Sequence, residues 1–503
     1  MLLSTSMLSA QNEGVGFVWA RGNEDELLSR PYIQFGQAEF VWKDIEPNEG
    51  DYRWEEMDAV LKKYHDLGKR VPVQINTPVP EWVFKYVACM GTSRRGNAPQ
   101  YWDPRYLNIL EKMISKYAEH LGTSPYKDAV LSVRGQYNAI NTEIFSLKAK
   151  FINGTATSDR TKWTFPADGH KYEPDLTPRL EGELIQKINE MYMKYFYAYD
   201  IPVTLRLPSQ KELNQRGFEG EKIFDLWCKN PLSRLLTTHY SISLIGSEEM
   251  KTFKRRCREL GTKAFMEQFG SITTEGKSVM STSDLMKMRQ ITLRKKGKST
   301  FVNISKEQST YWSMLMLLDC GASYISLYGK DLKWVDSCPE IVSVFNLINR
   351  YAGFQATPEK SPGAWRVFGE FFPKISTQPS ENNWGWYLSE ESLTNTQAVN
   401  FSKDSVDVLG VYARKFTGAV KFSLQPKFVA SLSGTTKISV VYLPAVGESV
   451  DIPGATVIGS KKYFGKWIVK SFSIPAETIG KGFMLMPKGQ PIIHLLEVNR
   501  NSK

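Results

Sequence analysis

Short β-prone apolar runs recur along the first 350 positions, and between them apolar residues return every three or four positions. The runs are GVGFVWA (14–20), PYIQFG (31–36), VPVQIN (71–76), AVLSV (129–133), IPVTLRL (201–207), RLLTTHY (234–240), TKAFMEQ (262–268) and SYISLYG (323–329). Between the second and third runs, WEEMDAVLKKYHDLG (54–68) sets Met57, Val60, Leu61, Tyr64 and Leu67 on one helical face and closes on Gly68. RYLNILEKMISKYAEHLG (105–122) and EGELIQKINEMYMKYFYAY (181–199) follow the same spacing. Eight strands alternating with amphipathic helices predict an α/β fold, a (β/α)8 TIM barrel over 1–350, with its site at the C-terminal strand ends.

The pattern changes near residue 350. GFQATPEKSPG (353–363) is a joint containing Pro and Gly. After it, AWRVFGEFF, WGWYLSE, AVKFSLQ, KISVVYLP, KWIVKSFSIP and PIIHLLEV are short strands separated by turns, without convincing helices. They predict an all-β sandwich domain over 351–503.

Composition narrows the function classes. With 42% hydrophobic and 12% aromatic residues, the 503-residue chain can bury large cores. The net charge of +11 is spread along the chain, and the densest basic cluster, RKKGKS (294–299), has the look of an exposed loop. No nucleic-acid-binding signature accompanies it, so no nucleic-acid partner is expected, whereas an acidic polymer fits. Five scattered cysteines make neither a disulfide framework nor a CxxC pair, and the five histidines show no HExxH, so neither metal nor cofactor is expected. No run of 18 apolar residues predicts a membrane span. The opening MLLSTSMLSA lacks the basic region of a signal peptide, although a periplasmic or secreted location suits the polymer reading. An oligomer is possible.

The chemistry concentrates at strand ends. DAVLSVRGQYNAINTEIF (128–145) begins as a buried strand and runs on to Asn141 and Glu143. KAFMEQFG (263–270) brings Glu267 directly after an apolar strand. Carboxylates after the fourth and seventh strands of a barrel can face each other across its mouth, the arrangement glycoside hydrolysis needs. Glu39, Trp42 and Asn76 stand near the ends of strands two and three, and His239 and Tyr240 close strand six. Trp42 and Trp312 are candidate sugar platforms. Arg134 and Arg206 are structural charges or anion ligands.

One further pattern is specific. Ala38-Glu39-Phe40-Val41-Trp42, then Ile45-Glu46-Pro47 with Gly50 and Tyr52, then Met57-Asp58, resembles the second-strand region of the family-42 β-galactosidases. INTPVPEWVF (75–84) is similar to the turn that follows in that family. AFMEQFG (264–270) is similar to the segment bearing its nucleophile, and YWSMLMLLDCGASYISLYGKDL (311–332) to its last helix and strand. The resemblance covers about residues 40 to 330. It implies Glu143 as acid/base and Glu267 as nucleophile of a retaining, clan A type glycoside hydrolase, with Asn141 and His239 toward the substrate; Glu39, Trp42, Asn76, Tyr240, Trp312 and Tyr328 join them as candidates by position and residue type.

Two departures stand out. One residue separates Asn141 from Glu143, where the family has Asn directly before the acid, and Leu327-Tyr328-Gly329 replaces a Trp-Arg pair. They point to a diverged relative acting on a red-algal galactan, such as a family-167-type carrageenan hydrolase. An inverting β-amylase-like hydrolase and a non-catalytic glycan-binding protein remain the alternatives.

Overall fold

The computed structural model describes residues 14–18, 20, 22–76, 78–93, 96–135, 159–206, 230, 232–237, 263–266, 294–295, 298–299, 306–319, 321–355, 357–368, 383–399, 413–480 and 482–500. They fall into two compact units, one from the described residues of 35–237 and one from those of 1–34 and 238–503. Seven of eight strands sit where parallel α/β strands were expected, and β2 lies further along the chain: β1 (Gly14–Val18), β2 (Ala38–Val41), β3 (Val71–Asn76), β4 (Val130–Arg134), β5 (Val203–Arg206), β6 (Ser233–Thr237), β7 (Lys263–Met266) and β8 (Ala322–Tyr328).

In the 35–237 unit, β2 to β6 pair in sequence order, each parallel to the next. Helices α1 (Glu55–Asp66), α2 (Pro104–Thr123) and α3 (Pro178–Tyr197) connect β2 to β3, β3 to β4 and β4 to β5. Each helix has a local cause. Asp103 caps α2 by accepting from the Arg105 N–H at 2.8 Å, and Thr177 caps α3 through the Leu180 N–H at 3.1 Å, each followed by a proline in the first turn. Gly68, at φ +62°, ends the α1 turn where a side chain would be strained. The buried stripe of α1 is narrower than its sequence suggests: Met57, Leu61 and Tyr64 are buried, whereas Leu67 is exposed.

The second strand corrects the sequence reading. Residues 31–36 are not a strand; the ladder passes to Ala38–Val41, in register with Val73–Asn76. Tyr32, Ile33 and Phe35 are buried as expected, and Phe35 makes an isolated parallel bridge to Arg70, but the backbone of Tyr32 and Ile33 is held differently. The Ile33 N–H bonds the Arg30 carbonyl in a turn, and the Asn349 side chain holds the Tyr32 carbonyl at 2.8 Å. A hydrophobic run reports burial more surely than the extent of its pairing.

In the other unit, β1 pairs with β8 and β8 with β7, all parallel. Helices α4 (Lys306–Asp319) and α5 (Pro339–Tyr351) flank β8 in sequence. From Gly363 onward the strands make two antiparallel sheets. One runs in the order Trp384–Trp386, Gly363–Val367, Ile492–Arg500, Thr435–Leu443, Ile468–Pro475, Thr456–Lys462. The other runs Leu388–Glu390, Val420–Leu424, Phe483–Lys488, Ser449–Asp451. Their inward residues, among them Ile438, Val440 and Leu496 from the first and Phe422, Phe483 and Leu485 from the second, share one apolar core, as a β-sandwich requires. Thr456–Lys462 ends its sheet, is exposed at all seven positions, and carries a register shift between Val457 and Gly459.

Hydrogen bonds tie the sandwich to α4 within this unit. Tyr311 and His494 share a 2.6 Å hydrogen bond, and Asp319 accepts from the Gly385 N–H at 3.0 Å. Inside the sandwich, Arg366 clasps Glu390 through two bonds of 2.7 and 2.8 Å, and Asn383 donates to the same carboxylate at 2.7 Å. Within the RKKGKS stretch, Arg294–Lys295 pairs antiparallel with Lys298–Ser299. Among the described residues no helix is long and apolar enough to cross a membrane, and no cluster of His, Cys, Asp and Glu is placed to hold a metal ion.

Candidate active site

The C-terminal ends of β2 to β5 carry polar side chains at alternate positions. Glu39, Gln74, Asn76, Ser132, Arg134 and Thr204 alternate with Phe40, Val73, Ile75, Val133 and Val203. Because a strand repeats every two residues, the first set shares one face of the sheet and the second the other. Hydrogen bonds confirm the shared face. Glu39 and Gln74 are register partners, and the Gln74 Nε2 donates to Glu39 Oε1 at 2.7 Å. It also donates to Asn76 Oδ1 at 3.1 Å, while the Gln74 Oε1 accepts from an Arg134 Nη1 at 3.2 Å. Ser132, two residues before Arg134 on the same strand, has its hydroxyl 2.7 Å from that of Thr204, the register partner of Arg134.

Burial gives this face a direction. Ser132, Thr204, Gln74 and Arg134 are buried, Asn76 is half-buried, and Glu39 is exposed although its strand neighbours Ala38 and Phe40 are buried. The polarity therefore runs from a closed hydroxyl layer up to a solvent-reached carboxylate and amide at the strand ends. Gln74 was not singled out from the sequence. The signal was present: a lone amide inside VPVQIN, where the alternation otherwise reads apolar.

Trp42 has a different place from the one expected. It opens a short helix (Trp42–Ile45), is buried, and its indole N–H donates to Glu46 Oε2 at 2.9 Å. Its ring lies 6.2 Å from that of Tyr106. Trp312 is likewise buried, with the rings of Tyr311, Trp384 and His494 at 5.7, 5.9 and 5.4 Å. Both indoles are core residues rather than open sugar platforms, since residue type alone does not decide which way a ring faces.

The remaining motif residues act as pins. Buried Glu46 takes the Gly50 N–H at 3.0 Å on its second oxygen, and its backbone carbonyl takes the Trp82 indole at 3.0 Å. Burial, and then the Glu46 charge, hold the Tyr52 hydroxyl above its usual range. Gly50 sits at φ +78°, which suits glycine. Asp58 meets the His120 imidazole at 2.8 Å, joining α1 to α2, and Trp54 stacks on His120 at 4.6 Å. After β3, Asp103 holds His170 at 2.8 Å, Gln100 and Trp102 donate to the Tyr172 and Pro174 carbonyls, and Arg105 pairs with Asp168. The segment 159–175 is thereby fixed beside the strand-three loop.

Glu143, Glu267, Asn141, His239 and Tyr240 lie outside the described residues, as do the side chains of Tyr328 and Arg206. The described strands end at Arg134 and Met266, nine residues and one residue before the two glutamates. Of the predicted site residues, the structure brings Glu39 and Asn76 together through Gln74.

Residues 25–125 match the family model described as Beta-galactosidase, glycoside hydrolase family 42. That stretch, which spans β2, α1, β3 and α2, thus carries a glycoside-hydrolase signature. Among curated proteins none matches the chain in sequence. Among solved structures, it is similar to a β-galactosidase from the psychrophilic Marinomonas ef1, at 13% identity and a TM-score of 0.38 over 67% of this chain and 59% of that one. A β-galactosidase from Bacillus circulans sp. alkalophilus gives 11% and 0.40, over 68% and 57%. The catalytic domain of a β-amylase from Paenibacillus polymyxa gives 10% and 0.40, over 67% and 98%. The chain spans less than two thirds of those β-galactosidases, and likeness at this level assigns no residue.

Proposed function

We propose that the chain is a retaining glycoside hydrolase on a closed (β/α)8 barrel, with its β-sandwich as a separate domain over 351–503. Glu143 is the general acid and then the base, and Glu267 is the nucleophile that forms and releases a glycosyl-enzyme intermediate. The observation that carries the reading is the match of residues 25–125 to the β-galactosidase family model. The polar face on β2 to β5 supports it, because carbohydrate sites collect amides and carboxylates at C-terminal strand ends. Two carboxylates suffice for this reaction, so no cofactor enters.

The substrate in this reading is a galactose-based polysaccharide of the carrageenan type, or its oligosaccharides, cleaved at β-galactosidic bonds outside the cytoplasm. The spacing Asn141-Thr142-Glu143 and the sequence Leu327-Tyr328-Gly329 support it, since both depart from the family where a lactase holds its galactose. The excess of 64 Lys and Arg over 53 Asp and Glu favours an anionic polymer. The test incubates the protein with κ- and β-carrageenan, agarose, lactose and nitrophenyl β-galactoside, and follows products by chromatography and proton NMR. Small galactan products with the β-anomer formed first are expected. Efficient lactose hydrolysis with no action on any galactan overturns the substrate class, and the α-anomer overturns retention in favour of an inverting mechanism.

A further inference from the structure

We infer that Asn76 is a specificity-determining hydrogen-bond donor to an oxygen of the bound sugar, and that Gln74 is the positioning residue that sets its polarity. The inference rests on the glycan-binding part of the proposed function, not on catalysis. Its basis is the direction of the bonds running from Glu39 through Gln74.

An ionised carboxylate only accepts and a guanidinium only donates. Gln74 lies between one of each, with Glu39 at 2.7 Å and Arg134 at 3.2 Å. Only one orientation of its amide satisfies both: the NH2 toward Glu39, the carbonyl toward Arg134. Turned over, it would set donor against donor on one side and acceptor against acceptor on the other. The second N–H of the same NH2 group then points at Asn76, 3.1 Å away. Asn76 must answer with its carbonyl oxygen, which directs its own NH2 away from Gln74. Among the described residues no acceptor meets that NH2. Asn76 is the last residue of β3 and half-buried, so the donor is presented at the open end of the polar face.

A donor fixed in this way selects an acceptor oxygen. In a galactan that oxygen belongs to a ring hydroxyl or to a sulfate ester. A site built on a directed bond discriminates more sharply than an apolar contact, because the wrong group leaves the bond unmade. The polarity also gives a reason for a glutamine at a buried position between Val73 and Ile75.

The test uses the full chain and measures dissociation constants by calorimetry for neutral and sulfated galactan oligosaccharides, together with KM and kcat wherever turnover occurs. Asn76→Asp replaces the donor by an acceptor of the same shape. It is expected to weaken binding and raise KM at least tenfold, with kcat within threefold. Weakening on both ligand sets identifies a hydroxyl, and weakening on sulfated ligands alone identifies a sulfate ester. Gln74→Glu keeps the size but offers Asn76 an acceptor, so Asn76 turns over and a similar loss is expected although Asn76 itself is unchanged. Gln74→Met releases Asn76 to rotate and is expected to cost less than Gln74→Glu. Far-ultraviolet dichroism confirms folding of each variant. Binding by Asn76→Asp within threefold of wild type overturns the donor role, and unchanged binding by Gln74→Glu overturns the relay. Turnover by wild type with unaltered Asn76→Asp constants would leave the hydrolase reading standing while removing this one. No binding of any galactan oligosaccharide by wild type would overturn both the substrate class and this inference.

Discussion

Glu46 belongs to the segment that matches the β-galactosidase model, and a buried glutamate there invites a catalytic role. Its contacts say otherwise. Both carboxylate oxygens are occupied, one by the Trp42 indole at 2.9 Å and one by the Gly50 N–H at 3.0 Å. Glu46→Gln turns one oxygen into an NH2 that must face one of these two donors. A charge-assisted bond is lost and a buried donor is left unmatched, a cost of about 2 kcal/mol. Glu46→Ala strips both acceptors and costs about 3–4 kcal/mol by the same reasoning. Hydrogen exchange of peptides covering residues 42–54 in the intact protein reads this locally, without assuming that 503 residues unfold in one step. At 1.4 kcal/mol per decade, the Gln variant should exchange about 30-fold faster there, and the Ala variant several hundredfold. Turnover of a nitrophenyl glycoside by the Gln variant should stay within threefold of wild type in the cold. Exchange within threefold of wild type, or a collapse of kcat with unchanged exchange, would refute the assignment of Glu46 as a pin.

Other outcomes follow from the same structure. Glu143→Gln and Glu267→Gln should each abolish turnover while leaving the dichroism spectrum intact, and azide should partly restore Glu267→Ala on an activated substrate; full activity in either Gln variant refutes the pair. Arg366→Met strands the buried Glu390 carboxylate and should cost about 3–5 kcal/mol in denaturant titrations, whereas replacing both by Met and Leu should cost less than either single change. Burial pushes the His494 pKa down to about 3 from 6.5, so the unfolded chain takes up the extra proton between those values. Stability is therefore full above about pH 7 and falls by about 2 kcal/mol on going to pH 5, a slope that His494→Gln should flatten in pH-dependent unfolding. Gly385, at φ +141° with the Trp365 carbonyl 2.1 Å from where a Cβ would sit, should not tolerate alanine, and soluble Gly385→Ala with wild-type exchange over 363–390 would contradict the geometry.

The β-prone apolar runs located seven of the eight parallel strands, because a buried parallel strand is continuous in apolar residues and bounded by turns. The second strand was misplaced at 31–36, where Pro31 and Gly36 frame a buried run whose pairing amounts to one parallel bridge, Phe35 with Arg70, and one bond from the Gln34 N–H to the Val15 carbonyl. Partners decided this, and the partner of Tyr32 is Asn349, more than 300 positions away. Glu39 and Asn76 were legible as polar residues near strand ends. Gln74, which joins them, was overlooked, although its position inside VPVQIN is the kind of local contradiction that marks a working residue. The two tryptophans failed for another reason. An indole suits a sugar face and a core equally, and only the positions of Glu46, Tyr106, Trp384 and His494 show which use was made of it.

The last strand of the larger antiparallel sheet has a bearing on how the chain behaves in a crowded solution. Thr456–Lys462 presents a row of backbone donors and acceptors to the outside, together with exposed Val457 and Ile458. Such a margin would template the same margin of another molecule and grow into a fibril. Two features interrupt that growth. The shift in register at Val457 to Gly459 breaks the straight run, and Lys461 and Lys462 place two positive charges at its end. The strand is thus a guarded border, and its lysines govern colloidal behaviour rather than folding or chemistry.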